Sequence, residues 1–228
     1  MAAVRPARNG GFRFPAAVAC QAMDDTRTPI ARRTFLAAAT VAVAAWFGGP
    51  SQAPAQHLIE VRGADTKYRY LDWNYTWGNG TVVDAFYVGV PGSNELNVGG
   101  GHVLSRGHLA VTPLVYAVIG REQGQRGVKV ALLVSFDHRG WKLVSFVGHY
   151  ISLSGAVDSY QVMDALDLTR LVGSRLELGI ESGFFRTGGD WNQQTGPLLK
   201  VNDHHGAWSA SYRFGSANEF RIGRVVTF

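Results

Sequence analysis

The chain has 228 residues, one cysteine, and a formal charge of +5 from 22 basic and 17 acidic side chains. Six of those basic residues and two of the acidic ones fall in the first 55 positions, so the remainder carries 16 and 15 and is close to neutral. Near-neutrality removes the case for a nucleic-acid partner, and because Cys20 lies in the same leading stretch, the remainder has no disulfide, thiol nucleophile or thiolate metal site.

The first element is a leader. Arg32 and Arg33 precede an apolar run from Phe35 to Phe47, and small residues then lead to Ala53-Pro54-Ala55. This is the basic, apolar and A-x-A order of a secretory signal peptide. The apolar run is shorter than the ~20 residues a spanning helix needs. Cleavage after Ala55 is expected, so that 1–55 is a signal peptide and 56–228 the mature domain. Residues 1–22 read as an upstream extension from a misassigned start, with Met23 as the true one. The run "RRTFL" is similar to a twin-arginine export signal, a route for folded cargo. The general secretory route is the expected one.

After Gln56 no stretch sustains a 3.6-residue apolar period. Short alternating segments are instead divided by turn residues such as Gly78-Asn79-Gly80, Pro91-Gly92-Ser93-Asn94, Arg139-Gly140, Gly188-Gly189 and Gly215-Ser216, which predicts an all-β sandwich or barrel. In chain order the predicted strands cover 57–62, 66–77, 81–90, 95–104, 107–119, 127–136, 141–152, 159–169, 174–186, 197–203, 206–214 and 218–228. Twelve is the direct count. Ten follows if weak segments such as 57–62 and 159–169 form no strand of their own. The segment from Met163 to Gly173 alternates least and could hold a helical turn. "RTGGDWNQQTG" is the longest polar connection and the candidate extracellular loop.

Each strand has one apolar face. Leu71, Trp73, Tyr75 and Trp77 oppose Tyr70, Asp72, Asn74 and Thr76. Val128, Val130, Leu132, Val134 and Phe136 oppose Lys129, Ala131, Leu133 and Ser135. Leu176, Leu178, Ile180 and Phe184 oppose Arg175, Glu177, Gly179 and Glu181, and Trp208, Tyr212 and Phe214 oppose Ser209, Ser211 and Arg213. A soluble barrel would turn the apolar face inward. The aromatic residues, among them Tyr87, Trp141 and Tyr150, mostly fall near strand ends, where membrane barrels carry their aromatic girdles. That favours the inverse arrangement, apolar outward.

Two short runs invite chemistry. "GGGHVLSRGH" offers His102, Ser105 and His108, but spacings of three put residues on opposite strand faces, and three glycines without a strand–loop–helix context do not make a phosphate cradle. "NDHHG" sets Asp203 and His205 on one face, short of the ligands zinc needs. A polar hairpin tip accounts for it. No metal and no cofactor is expected.

The final strand carries the most specific signal. Phe220, Ile222, Val226 and Phe228 share a face, and Phe228 ends the sequence. Here the chain resembles bacterial outer-membrane β-barrel proteins, in motif at the leader and last strand and in pattern throughout. The resemblance implies a closed antiparallel up-and-down transmembrane β-barrel of 10–12 strands, located in the outer membrane. Its last strand would be read by the barrel-assembly machinery and would close on the first. It further implies a lipid-facing or girdle set of Trp73, Tyr75, Trp77, Trp208, Tyr212, Phe214, Phe220, Ile222 and Phe228. A lumen set would comprise Asp72, Lys129, Arg175, Glu177, Glu181, Arg213 and Arg221, with its charges paired. Arg224 breaks the pattern, and a bulge at Gly223 would turn it inward. The expected function is non-enzymatic, structural, adhesive or narrow-pore, with outer-membrane lipids as partners, no nucleic acid, and a small solute unspecified. The alternatives are a lipid-directed barrel hydrolase using Ser105 with His102 or His108, as in the lipid A deacylases and phospholipases of this class, and a soluble periplasmic barrel binding an apolar ligand.

Overall fold

A computed structural model describes residues 56–120 and 124–228; the leader, its cleavage site and the early start expected above lie outside them. Regular structure among the described residues is entirely strand. The order is β1 (Gln56–Ala64), β2 (Arg69–Thr76), β3 (Thr81–Val90), β4 (Ser93–His102), β5 (Leu104–Arg106), β6 (Leu109–Gly120), β7 (Gln125–His138), β8 (Trp141–Ser152), β9 (Tyr160–Val172), β10 (Leu176–Thr187), β11 (Asp190–Asp203), β12 (Gly206–Gly215) and β13 (Glu219–Thr227).

Sequential strands pair antiparallel, β1 pairs with β13, and β4 pairs with β6, so the sheet closes on itself. The three residues of β5 continue β4 along the edge of β6. The barrel therefore has twelve staves. Both weak segments, 57–62 and 159–169, are among them.

The connections follow from local chemistry. At the β7–β8 hairpin, Arg139 (φ 52°) and Gly140 (φ 80°) both take positive φ, the combination a two-residue type I′ turn requires. The β10–β11 hairpin turns in two residues, Gly188 and Gly189, so most of the expected loop "RTGGDWNQQTG" is strand, in register from Thr187↔Asp190 to Leu176↔Val201. The longest described connection is instead 153–159, between β8 and β9. The stretch Met163–Gly173 holds no helical turn. Its weak alternation marks a β-bulge, where Phe146 faces Ala165 while the next residue, Val147, faces Met163. The extra residue, Asp164, shifts the phase of β9 and turns its carboxylate into the barrel.

Triple glycine Gly99-Gly100-Gly101 has a packing role. A Cβ on Gly99 would run into the Val115 carbonyl oxygen, one on Gly101 into that of Pro113, and one on Gly100 into that of Val82. Side chains there would hold β3 and β6 away from β4, where the sheet closes.

The two faces are inverted relative to a soluble barrel. Trp208 is 54% exposed, Leu178 46% and Leu132 36%, whereas Lys129, Glu177 and Arg213 are at most 3% exposed. This arrangement rules out the soluble barrel with an apolar ligand pocket. Aromatic side chains form two outer belts. Tyr75, Trp77, Trp141, Trp208 and Phe228 ring the end that holds Gln56 and Phe228 (the terminal end below), while Tyr87, Phe184, Trp191, Tyr212, Phe214 and Phe220 ring the opposite end. Trp73 and Ile222 lie on the outer face between them, 41% and 49% exposed. Tyr150 belongs to neither belt; it points inward and is 0% exposed. Between the belts the polar outer residues pair with one another, as Ser182 and Thr195 do at 2.7 Å, which lowers the cost of facing hydrocarbon.

Arg224 corrects the expected bulge. Register runs unbroken through Gly223, with Arg62↔Gly223 and Val61↔Arg224 on one side and Trp208↔Arg224 on the other. Arg224 therefore points outward. It is tolerated because it lies near the β11–β12 turn, bonded to Asp203 at 2.8 Å and over the Trp208 ring at 5.1 Å. At that depth the penalty for an outward arginine is small.

Candidate functional site: the barrel interior

Alternation gives the lumen its lining, and the lining divides into two walls. On the β3–β9 side it is aromatic and aliphatic. Phe86 meets Tyr116 edge to face at 5.1 Å and Phe146 at 5.8 Å, while Tyr150 stacks on Tyr160 at 4.9 Å and Phe185 of the neighbouring β10 meets Tyr160 at a tilt, 5.0 Å away. Leu114 and Val118 fill in around them. Lys129 reaches into this wall, its ammonium 5.2 Å from the Phe86 centroid and 5.4 Å from that of Tyr160. It is ion-paired to Glu95, which also accepts from Tyr160, from Asn97 Nδ2 at 3.1 Å and from Gln125 Nε2 at 3.2 Å. A buried ammonium survives only with that degree of compensation.

The opposite wall, β1 with β9–β13, is ionic. Arg213 Nη2 donates to Glu219 at 2.6 Å, and its Nη1 lies 3.4 Å from Glu181. Arg221 donates to Glu219, and its Nη1 is 3.4 Å from both Glu181 and Asp164. Arg62 bonds Glu60 at 2.6 Å and Asp164 at 3.3 Å. Tyr68 and Thr66 complete the set, donating to Asp164 at 3.1 Å and to Glu219 at 2.5 Å. Nearer the terminal end, Lys200 pairs with Asp167 at 2.7 Å, and Lys142 pairs with Glu177 at 2.6 Å.

Among the described residues, two inward carboxylates have no cation. Asp84 accepts from Tyr116 at 2.6 Å and Asp72 from Tyr70 at 3.3 Å, while Oδ1 of each has no partner among the described residues. Counting inward strand residues that are buried or half-buried, the carboxylates are Glu60, Asp72, Asp84, Glu95, Asp164, Asp167, Glu177, Glu181 and Glu219. The cations are Arg62, Lys129, Lys142, Lys200, Arg213 and Arg221. Acids therefore outnumber bases among the described residues. Two single pairs at the terminal end and Lys129–Glu95 balance; the excess lies in the arginine cluster and at Asp72 and Asp84.

Of the predicted lumen set, Asp72, Lys129, Glu177, Glu181, Arg213 and Arg221 line this interior. Arg175 does not. It occupies the β9–β10 turn and is exposed, because the alternation of β10 begins only at Leu176. Missed by the sequence were Asp164, hidden by the bulge, and Arg62, Asp84, Glu95, Lys142 and Glu219. Their inward phase was readable from each strand's own alternation, but their partners were not, since the bonds join strands far apart in sequence.

A recess of about 60 Å³ lies among Glu60, Arg62, Asp167, Glu181, Lys200 and Arg221. A more open one of about 320 Å³ at the terminal end is bordered by Ser105, His108, Ser135, Asp137, Lys142 and Val144. Ser105 and His108 thus share a recess, while His102 follows Gly100 on the outward side of β4. No described hydrogen bond joins Ser105 to either histidine, and the His108 ring packs on that of His138 at 4.1 Å. A nucleophile–base pair needs that bond. In "NDHHG", Asp203 is engaged by Arg224 and by the His205 amide at 2.9 Å, and His204 and His205 form the turn. No group of three or more potential metal ligands occurs among the described residues.

No protein-family model and no curated protein matches the sequence. Solved structures do match in fold. The KdgM porin aligns over 76% of this chain and 99% of its own with a TM-score of 0.57 at 12% identity, as does its complex with disordered oligogalacturonate. The NanC porin aligns over 75% of this chain and 98% of its own, with a TM-score of 0.53 at 10% identity. The chain is similar to these porins in architecture, and its closed barrel, apolar outside and ionic within, has the fold of a bacterial outer-membrane β-barrel.

Proposed function

We propose that this chain is a non-enzymatic, narrow pore of a Gram-negative outer membrane, passing small hydrophilic solutes. The observation that supports it is the ionic wall. A barrel with a purely structural role gains nothing from a column of arginines and carboxylates, since well-packed apolar residues stabilise an interior as well or better. A water-filled path needs polar lining, and its charges set which solutes pass. The aromatic wall narrows that path from one side, leaving the passage along β1 and β9–β13. Short connections at the terminal end support a periplasmic position for it, with 153–159 outside. The assembly machinery would then read Phe228, and outer-membrane lipids would cover the apolar band.

The KdgM porin has been solved with oligogalacturonate, a chain of carboxylate sugars. The acid-rich lumen here offers such a ligand no cationic surplus, so the neighbour's ligand is not carried over.

The test is a planar bilayer recording with purified mature protein. Small, reproducible conductance steps are expected, and they should enlarge when Arg213 and Glu219 are both changed to Ser. Persistent silence of both proteins would refute the pore and leave a structural barrel. The hydrolase is tested separately: lipid turnover that Ser105→Ala abolishes would establish it.

A further inference from the structure

Taking the pore reading as its basis, we infer that the passage prefers cations to anions, and that Asp72 and Asp84, with the Asn97 side-chain oxygen, form the site that sets the preference. The three residues face inward on adjacent strands. Asp72 pairs in register with Phe86 and Phe86 with Asn97, while Asp84 lies two residues along β3 from Phe86. Asp84 is thus diagonal to both others, a separation of roughly 7–8 Å between backbones.

The acid excess alone would not make a site. What points to a ligand is the state of the oxygens. Oδ1 of Asp72, of Asp84 and of Asn97 are all buried and meet no N–H or hydroxyl donor among the described residues, and the Asp72 and Asp84 carboxyls lie against each other, where only a shared proton or a cation can join them. Asp84 is 6% exposed and Asn97 0%. Buried acceptors are ordinarily paired, and three lacking a donor on one patch of wall are groups a cation can satisfy.

The cations nearest this patch among the described residues are engaged elsewhere. Lys129, reaching toward Phe86 from β7, is held by Glu95. Arg62 lies over Tyr70 at 5.0 Å and is held by Glu60 and Asp164. The two tyrosines on the patch, Tyr70 and Tyr116, each spend their single hydroxyl proton on the other carboxylate oxygen. A hard monovalent cation takes oxygen ligands of this kind, carboxylate and amide carbonyl together. An anion meets a carboxyl pair that keeps a negative charge even when it holds one shared proton.

The experiment is a reversal-potential measurement across a bilayer under a potassium chloride gradient. Wild type is expected to pass potassium several-fold more readily than chloride. Asp84→Asn, Asp72→Asn and the double variant should each lower that ratio, the double most. Asp203→Asn, on the outer rim, should leave it unchanged, and an unaltered gel-mobility shift on boiling certifies that each barrel is folded. A chloride preference in wild type, or a ratio the double variant does not move, overturns the selectivity site while the pore stands. Silence of every variant overturns the pore itself and this site with it.

Discussion

Arg221 touches Asp164, Glu181 and Glu219 and stacks over Tyr68 at 4.1 Å. Removing it leaves these three carboxylates with only Arg213 and Arg62 between them. Breaking a buried ion network from one side costs about 3–5 kcal/mol, so Arg221→Ala should markedly lower the temperature at which the folded barrel loses its fast gel mobility. Arg224→Ala removes an arginine only three positions away, yet its ion pair lies at the rim, and the shift should be much smaller. Equal shifts would contradict the assignment of the two arginines to opposite faces. The difference between them was half legible. Counting back from Phe228 puts Arg221 inside and Arg224 outside, and the count held. The bulge expected at Gly223 would spare an outward arginine the cost of mid-bilayer, but Asp203, distant by 21 residues, bonds Arg224 across the turn at the rim.

At the level of strands, regular alternation read correctly wherever it was uninterrupted. β7, β10 and β12 were legible with their faces. Reading failed where geometry departs from strict period two. The bulge in β9 made a strand resemble a helical turn, and the polar character of "DWNQQTG" made half of β11 resemble a loop, although those residues lie near the far rim where polar side chains meet water. The triple glycine was legible as uncatalytic but not as a closure device, because the need for close approach arises only once β4 meets β6. Gly101→Val is expected to oppose that meeting. Overpacking typically costs about 1–3 kcal/mol, here against carbonyl oxygens that cannot swing away. The yield of heat-modifiable barrel on refolding into detergent should fall sharply, and more than for Gly92→Val, whose site has nothing within 4 Å. Gly92 has a positive φ of 79°, so it also carries backbone strain and makes the comparison a demanding one.

For the whole molecule, the decisive choice was which way the apolar face points. Composition could not make it, since an inverted barrel and a soluble one share the same alternation. The aromatic residues at strand ends made it, because they answer to a bilayer rather than to water. Function was less legible than fold for a corresponding reason. A lumen is built from pairs drawn from distant strands, and Lys129 with Glu95 or Arg62 with Asp164 can be matched only after the barrel has closed.

Closure also brings the two ends of the described chain together. The Phe228 amide donates to the His57 carbonyl at 3.1 Å, and the His57 amide lies 3.5 Å from the Phe228 carbonyl. A short linker could therefore join Phe228 to Gln56, with new ends cut at Gly173-Ser174 on the same rim. Such a circular permutant keeps every rung of the ladder while moving the C-terminal phenylalanine into the interior of the chain. It should fold in detergent with the same resistance to unfolding before boiling, yet fail to reach the membrane in cells if the free aromatic end is what the assembly apparatus grasps. Efficient insertion of the permutant would show that the barrel is handled by its shape and not by its last residue.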